Sequence, residues 1–467
     1  MAAHAKGKLS QHEQAKFRIS EYYKAQAHRT KLWYLRSRFE IHEAYSKLVQ
    51  PSSEPQPNQS LVADGTLSES ALIHLKSYKY SSVDKSYLSY YVLRHYWNWF
   101  VQLLPLWLAP NMVTLLGFLC IIANVALLAI YVPDLVTPAP NWVYISFGLG
   151  VWMYSTMDNV DGKQARRTGT SSPLGELFDH GIDSLNCTLA SLLETAAMMQ
   201  GPSKTGAFTA LVPCLPMFFS TWETYHTHTL YLGYFNGPTE GLLIASTMMI
   251  VTGIWGPQMW ATPLTTAFPF LKVYLDNETT LSDIWVPLIL GIFLVAHLPS
   301  CVLNVMHARH ERGLSLAPTL LEWFPMVIYT GSCMAWLGSP YSHLLVDNHL
   351  ILFCVTMSLV FGRMTTKIIL AHLTRQPFPY WTFMLAPLLG GAILAWLPLF
   401  GYQEIDRLWE LRYLQGYLVF AAVVYGRWAY VVITTICRYL GINALTIPSR
   451  KTKQNGTTSN GHAKKTA

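Results

Sequence analysis

The side chains with the clearest chemical potential are acids. Asp158 and Asp161 stand at i,i+3 in Asp158-Asn159-Val160-Asp161-Gly162-Lys163-Gln164-Ala165-Arg166, and Asp179 and Asp183 at i,i+4 in Gly175-Glu176-Leu177-Phe178-Asp179-His180-Gly181-Ile182-Asp183. On helices, each spacing puts the pair on one face. The stretch between the pairs is short enough for an antiparallel hairpin, which would bring all four carboxylates to one point. Carboxylates packed together repel and resist ionisation unless cations neutralise them, and hard oxygen ligands suit Mg²⁺, Mn²⁺ or Ca²⁺. Two such ions would bind a pyrophosphate, polarise an attacked phosphorus and stabilise a departing phosphate oxygen. Gly162, Ala165 and Gly175 leave room for a helix or a nucleotide to approach closely, and Arg166 could hold a phosphate. A plainer alternative treats the acids as loop charges paired with Lys163, Arg166 and Arg167. It suits one or two acids better than four at helical spacing, two of them on a helix that continues into the apolar run Cys187 to Met199.

A hydroxyl that attacks phosphorus must lose its proton, and His180, Glu176 and Asp183 are the candidate bases. Glu176 precedes His180 by one helical turn, so its carboxylate could orient the imidazole and raise its basicity. Asp183, as a metal ligand, would be the poorer base. Further along, Trp222-Glu223-Thr224-Tyr225-His226 offers two aromatics and a carboxylate, and Trp222, Glu223 and Tyr225 could surround a quaternary ammonium through cation–π contact. Aromatics are equally at home in an interfacial belt. Arg363 and Lys367 could meet phosphate or merely snorkel to the interface.

These residues need a scaffold, and composition says which kind. Of 467 residues 51% are hydrophobic and 13% charged, with a mean hydropathy of +0.25. That is too apolar for a soluble protein. Stretches of roughly 20 apolar residues recur without β-barrel alternation, so the fold class is all-α and polytopic. Ten spans are expected, at 112–132, 141–158, 174–199, 207–224, 239–256, 284–305, 317–338, 349–372, 380–400 and 415–438. An even number puts both tails on one side, with Lys163, Arg166, Arg167, Arg309, Arg312 and Arg375, and positive-inside bias makes that side cytosolic.

The chain divides into a polar extension and linker (1–74), an interfacial amphipathic helical segment (75–110), a catalytic core (111–224), the remaining spans (225–440) and a basic disordered tail (441–467). The net charge of +7 lies largely at the two ends. On a membrane protein this suits orientation or anionic lipid rather than nucleic acid. Seven isolated cysteines without a CxxC pair imply neither a disulfide framework nor a zinc site. The first sixty residues lack the apolar region of a signal peptide. A sequon at Asn277-Glu278-Thr279 falls on the side opposite the tails.

The complete spacing DxxDGxxARx8GxxxDxxxD resembles the signature of the CDP-alcohol phosphotransferase family, whose members exchange CMP for a hydroxyl acceptor. LKSYKYSSVDKS at 75–86, PLWLAPNMVTLLG at 105–117, the run from Trp222 to Pro238 and FGRMTTKIILAHLTRQPFP at 361–379 are similar to its eukaryotic choline and ethanolamine phosphotransferase branch. The resemblance covers roughly Leu75 to Leu440. It implies that Asp158, Asp161, Asp179 and Asp183 bind two Mg²⁺ or Mn²⁺ ions. It further implies that Gly162, Ala165, Arg166 and Gly175 line the CDP moiety, with Asn111 on the nucleotide side, and it favours the Glu176/His180 pair. Asn111 would also serve as a helix N-cap. The implied activity transfers phosphocholine, phosphoethanolamine or both from CDP-choline or CDP-ethanolamine to the 3-hydroxyl of diacylglycerol, in the endoplasmic reticulum, the Golgi or both. A homodimer is compatible with this reading. The rivals are a CDP-diacylglycerol-dependent phosphatidyltransferase, which would share the metal motif, and a cation channel or transporter, which need not keep these glycines at these intervals.

Overall fold

A computed structural model describes residues 67–447 except 235 and 274–277. The polar extension up to residue 66, Asn277 of the sequon and the basic tail from 448 lie outside the described residues. Helix α1 spans Glu69–Lys76, strand β1 Ser82–Asp84 and α2 Arg94–Leu103, followed by α3 (Pro110–Tyr131), α4 (Asn141–Thr168) and α5 (Pro173–Ala197). Next come α6 (Lys204–Leu211), α7 (Cys214–Thr227), strand β2 (Leu230–Leu232), α8 (Leu242–Trp255), α9 (Trp285–Ile292) and α10 (Leu298–Glu311). The remaining helices are α11 (Phe324–Gly338), α12 (Leu350–Thr374), α13 (Leu385–Trp396) and α14 (Arg407–Leu440).

Among the described residues, five helical stretches are long and apolar enough to cross a membrane: Pro110–Tyr131, Gly237–Trp255, Ser282–Glu311, Leu350–Thr374 and Arg407–Leu440. Leu385–Phe400 is a shorter apolar helix. The protein is an all-α membrane protein, with one short parallel strand pair, Ser82 to Asp84 beside Leu230 to Leu232.

Other expected spans are helical without meeting that test, for physical reasons. Helix α4 carries Asn141, Ser146, Ser155, Thr156 and Asp158 among its apolar residues before running on through Asp161, Lys163, Arg166 and Arg167, and α5 carries Glu176, Asp179, Asp183 and Glu194. The stretch 207–224 is divided between α6 and α7 around Pro213, which cannot donate to a helical hydrogen bond. The segment 75–110 is not one helix. It holds β1, then a helical stretch from Ser89 to Leu103, then loop.

The acid hairpin is specified locally. Gly169, at φ 69°, ends α4 in the left-handed conformation that glycine adopts without penalty, and Thr170 N donates to Ala165 O at 2.9 Å. Ser172 then caps α5, its hydroxyl accepting from Gly175 N at 3.3 Å, with Pro173 in the first helical position.

Neighbouring helices fix the pair in place. Helix α8 lies against α4 where Gly148 permits contact, and Ser246 Oγ donates to Gly148 O at 2.8 Å. Helix α12 packs along α5, with Ser358 Oγ donating to Leu185 O at 2.8 Å. Helix α2 is pinned beside the end of α4. Gln164 donates to Pro105 O and Leu108 O at 2.9 and 3.0 Å, and Arg167 to Val101 O and Leu104 O at 2.8 and 2.6 Å. Val101 and Leu104 stand at the end of α2, where carbonyls lack intrahelical partners, and Pro105 and Leu108 lie in the loop that follows. A large core runs through the bundle. A separate cluster joins Leu72 and Leu75 of α1, Leu174 and Leu177 of α5, Leu370 of α12 and Ile436 of α14.

Candidate active site

A cavity of about 1690 Å³ opens over the hairpin. Its walls include Asn111, Asp158, Asp161, Gly162, Ala165, Arg166, Gly175, Glu176, Asp179, His180, Asp183 and Glu223. The four aspartates, half-buried, come together there. Asp158 lies in electrostatic contact with Asp179, Asp183 and Asp161, and Asp161 also with Asp179 and Asp183. Two hydroxyls from outside the motif steady them: Thr114 donates to Asp161 and Tyr154 to Asp183. Ligand atoms of Asp179, His180 and Asp183 all lie within 4.8 Å of one another, a grouping that could hold a metal ion.

The donor set fits a hard cation. Asp158 Oδ1 and Asp179 Oδ1 are buried without a hydrogen-bond partner among the described residues, and such orphaned oxygens beside other carboxylates are costly unless a cation satisfies them. The basic side chains nearby do not take that role as ion-pair partners. Lys163 Nζ donates to Asn98 Oδ1 at 2.9 Å and Arg167 binds the α2 carbonyls. Among the described residues no ion pair joins an aspartate of the cluster to Lys163, Arg166 or Arg167.

Glu176 and His180 share a helical face, yet neither Glu176 Oε2 nor His180 Nε2 has a hydrogen-bond partner among the described residues. An imidazole from another helix faces Glu176: His372 Nε2 of α12 is 3.9 Å from Glu176 Oε1. His372 Nδ1 in turn meets His228 Nδ1 at 3.1 Å. Sequence reasoning missed His372 because only the packing of α12 on α5 reveals it. The single hint was its place inside the stretch FGRMTTKIILAHLTRQPFP.

Asn111 is not an N-cap. Ala109 occupies that position and Pro110 the first helical one, which places Asn111 inside α3, where its Nδ2 donates to Ala444 O at 2.9 Å. Of the three head-group candidates, only Glu223 reaches the cavity wall. Trp222 is fully buried, with its indole donating to Glu322 at 2.8 Å, and Tyr225 donates to Gln376 O at 2.9 Å, so both rings are engaged away from the cavity. Glu223 Oε1 accepts from Asn304 Nδ2 at 2.5 Å. Arg363 and Lys367 are buried in the bundle. Arg363 stacks over Trp428, 4.8 Å from its ring centre, and Lys367 donates to Trp381 O at 3.1 Å.

The cavity is lined in part by basic side chains, Lys79, Arg94, Lys163 and Arg166. The lining also includes apolar side chains, Leu242 of α8 and Leu288, Ile289 and Ile292 of α9. Such a space can hold a charged donor and a lipid acceptor over one acidic floor.

Comparison with known proteins agrees with this chemistry. The family model described as CDP-alcohol phosphatidyltransferase matches residues 107–271. Choline/ethanolaminephosphotransferase 2 of Arabidopsis thaliana is 37% identical over 392 residues, covering 81% of this chain and 97% of that protein. Its counterpart, choline/ethanolaminephosphotransferase 1 of the same plant, is 36% identical over 389 residues, again 81% and 97%. Cholinephosphotransferase 1 of Saccharomyces cerevisiae is 34% identical over 398 residues, 82% of this chain and 98% of that protein. With relatives matched along almost their whole length and the acidic hairpin inside the matched region, the chain belongs to the CDP-alcohol phosphatidyltransferase family and is an enzyme of the CDP-alcohol phosphotransferase type.

Proposed function

We propose that the protein transfers phosphocholine or phosphoethanolamine from CDP-choline or CDP-ethanolamine to the 3-hydroxyl of diacylglycerol, releasing CMP. The observation that carries the reading is the convergence of Asp158, Asp161, Asp179 and Asp183, with unpartnered oxygens, on a cavity lined by both basic and apolar side chains. The names of the relatives support the head groups, choline and ethanolamine.

In this reading the four aspartates hold two Mg²⁺ or Mn²⁺ ions, which, when bound, neutralise the pyrophosphate and favour departure of the CMP oxygen. Asn111, Gly162, Ala165, Arg166 and Gly175 seat the CDP moiety. Gly162 lies beside Arg166 and Gly175 beside Asn111, where an added Cβ would make only ordinary contacts of 3.6 Å to Arg166 Nη1 and 3.8 Å to Asn111 Oδ1. Glu223 presents a carboxylate toward the cationic head group. His180 takes the proton from the acceptor hydroxyl through its unpartnered nitrogen, Glu176 helps orient it, and Asp183 remains a ligand. The lipid oxygen forms a bond to the β-phosphorus as the bond from that phosphorus to the bridging oxygen breaks, and CMP carries the electron pair away.

The chain crosses the bilayer ten times in this proposal, α6 with α7 and α9 with α10 each completing one passage. The segment from Ser89 to Leu108 rests at the interface, where Trp99, Leu103 and Trp107 are exposed. Both termini and the acidic cluster face the cytosol of the endoplasmic reticulum, the Golgi or both.

The test is CMP release by purified protein supplied with each donor and diacylglycerol. Asp161→Ala and Asp179→Ala are expected to abolish release at saturating Mg²⁺, and chelation to abolish it in the parent protein, with Mg²⁺ or Mn²⁺ restoring it. Undiminished release by both variants would remove the metal assignment. Turnover only with CDP-diacylglycerol and a water-soluble acceptor would replace the donor.

A further inference from the structure

Part of the cavity lining comes from residues far in sequence from the acidic motif. Gly441, at φ 66°, ends α14 in a left-handed conformation, and Ile442 N donates back to Cys437 O at 3.1 Å, so the chain turns instead of continuing along the helix axis. Beyond that turn Ile442, Asn443, Ala444, Thr446 and Ile447 line the cavity. Asn443 Nδ2 donates to Thr446 Oγ1 at 2.9 Å, which holds the segment bent.

The contact with Asn111 gives the segment a role. Ala444 O takes the amide nitrogen of Asn111 at 2.9 Å, which leaves Asn111 Oδ1 on the side of Gly175. Asn111 is only 7% exposed, so its amide cannot turn over without losing this partner in a largely dry setting. Ile442 and Ala444 also pack on the cluster that includes Leu174 and Leu177, the residues flanking Gly175 and Glu176. The segment therefore touches two of the walls that face the nucleotide, at Asn111 and at the first turn of α5. The family match ends at residue 271, so nothing in that match assigns the segment a function.

We propose that residues 442–447 are a positioning strap for the nucleotide donor: they fix the Asn111 amide and complete the CDP side of the cavity, without acting on the lipid acceptor. The inference rests on the reading that the cavity takes a CDP-alcohol.

Two truncations test it, one ending after Ile447 and one after Gly441. The longer chain is expected to keep the kinetics of the full protein. The shorter one should raise KM for the CDP-alcohol and weaken CMP binding roughly tenfold, the loss of one buried hydrogen bond and its enclosure, with KM for diacylglycerol within about twofold. Replacing Asn443, Ala444, Leu445 and Thr446 by four glycines keeps the chain length and carries the same test if the shorter chain fails to elute as a monodisperse species. Combined with Asn111→Asp, the glycine replacement should add little further loss, because glycines keep the carbonyl at 444 but free the segment that presents it, so both changes weaken the same contact. Unchanged donor KM and CMP affinity, or fully additive losses in the combined variant, would overturn the strap. Absence of turnover in the full chain with normal CMP binding would instead count against the proposed acceptor and head group.

Discussion

His372 is the residue whose role the geometry argues most directly beyond the acidic motif. Its Nε2 faces Glu176 Oε1 at 3.9 Å and its Nδ1 meets His228 Nδ1 at 3.1 Å. A neutral imidazole carries one N–H, and a carboxylate only accepts, so the favourable arrangement puts the hydrogen of His372 on Nε2 and has its Nδ1 accept from His228. His372 then faces Glu176 with its N–H at a distance longer than a hydrogen bond, and Glu176 Oε2 has no partner among the described residues. His180→Ala, removing the proposed base, should lower kcat by about 10² to 10⁴. His372→Ala acts one step removed and should lower kcat roughly tenfold while leaving KM for both substrates within about twofold, in line with loss of one contact to a charged group. His372→Gln, which keeps an N–H donor, should recover most of that loss. Steady-state kinetics of the three variants check this, and an unchanged kcat in His372→Ala would leave Glu176 without need of it.

At the level of elements, the α4–α5 hairpin depends on the helices pressed against it. A Cβ at Gly148 would stand 2.5 Å from Ser246 O and 3.1 Å from Ile250 N, both backbone atoms of α8, so Gly148→Ala must push α8 away from α4. Overpacking of this kind costs about 1–3 kcal/mol. The expected result is a lower thermal midpoint in detergent, with activity falling in step because α4 carries Asp158 and Asp161; an unchanged midpoint would show that the interface yields freely. This dependence also marks what could be read from the chain. The hairpin was legible because its information is local, two helical spacings joined by a short connection, whereas the glycine stop at 169 and the Ser-Pro start at 172–173 that bound its helices are seen in the structure. His372, the β1/β2 pair and the 442–447 segment were not, because tertiary packing brings them in, Asn111 and Ala444 meeting across 333 positions. Similarity of the stretches at 75–86 and 222–238 to one branch of the family gave no sign that they meet as strands at the cavity mouth. Trp222 and Tyr225 misled for the same reason, since composition cannot tell a ring turned to a cavity from one bonded to Glu322 or Gln376.

For the whole molecule, the decisive feature for the proposed reaction is that a single space is large enough for both substrates. Ligand sites for one small molecule occupy about 300–1,000 Å³, whereas this cavity measures about 1690 Å³ and is lined both by Arg94 and Arg166 and by Ile289 and Ile292. Donor and acceptor can therefore lie over the acidic floor together, and the acceptor oxygen can attack phosphorus without an intermediate stored on the protein. This geometry predicts a ternary complex. Initial rates varied in both substrates should give intersecting double-reciprocal lines, not the parallel lines of a mechanism that releases CMP first. More directly, radiolabelled CMP should not exchange into CDP-choline or CDP-ethanolamine when protein and divalent metal are present but no diacylglycerol or product phospholipid is. Exchange at a rate comparable with turnover would mean that the head-group phosphate rests on a side chain between two half-reactions, and the direct transfer argued from the shared cavity would have to be abandoned.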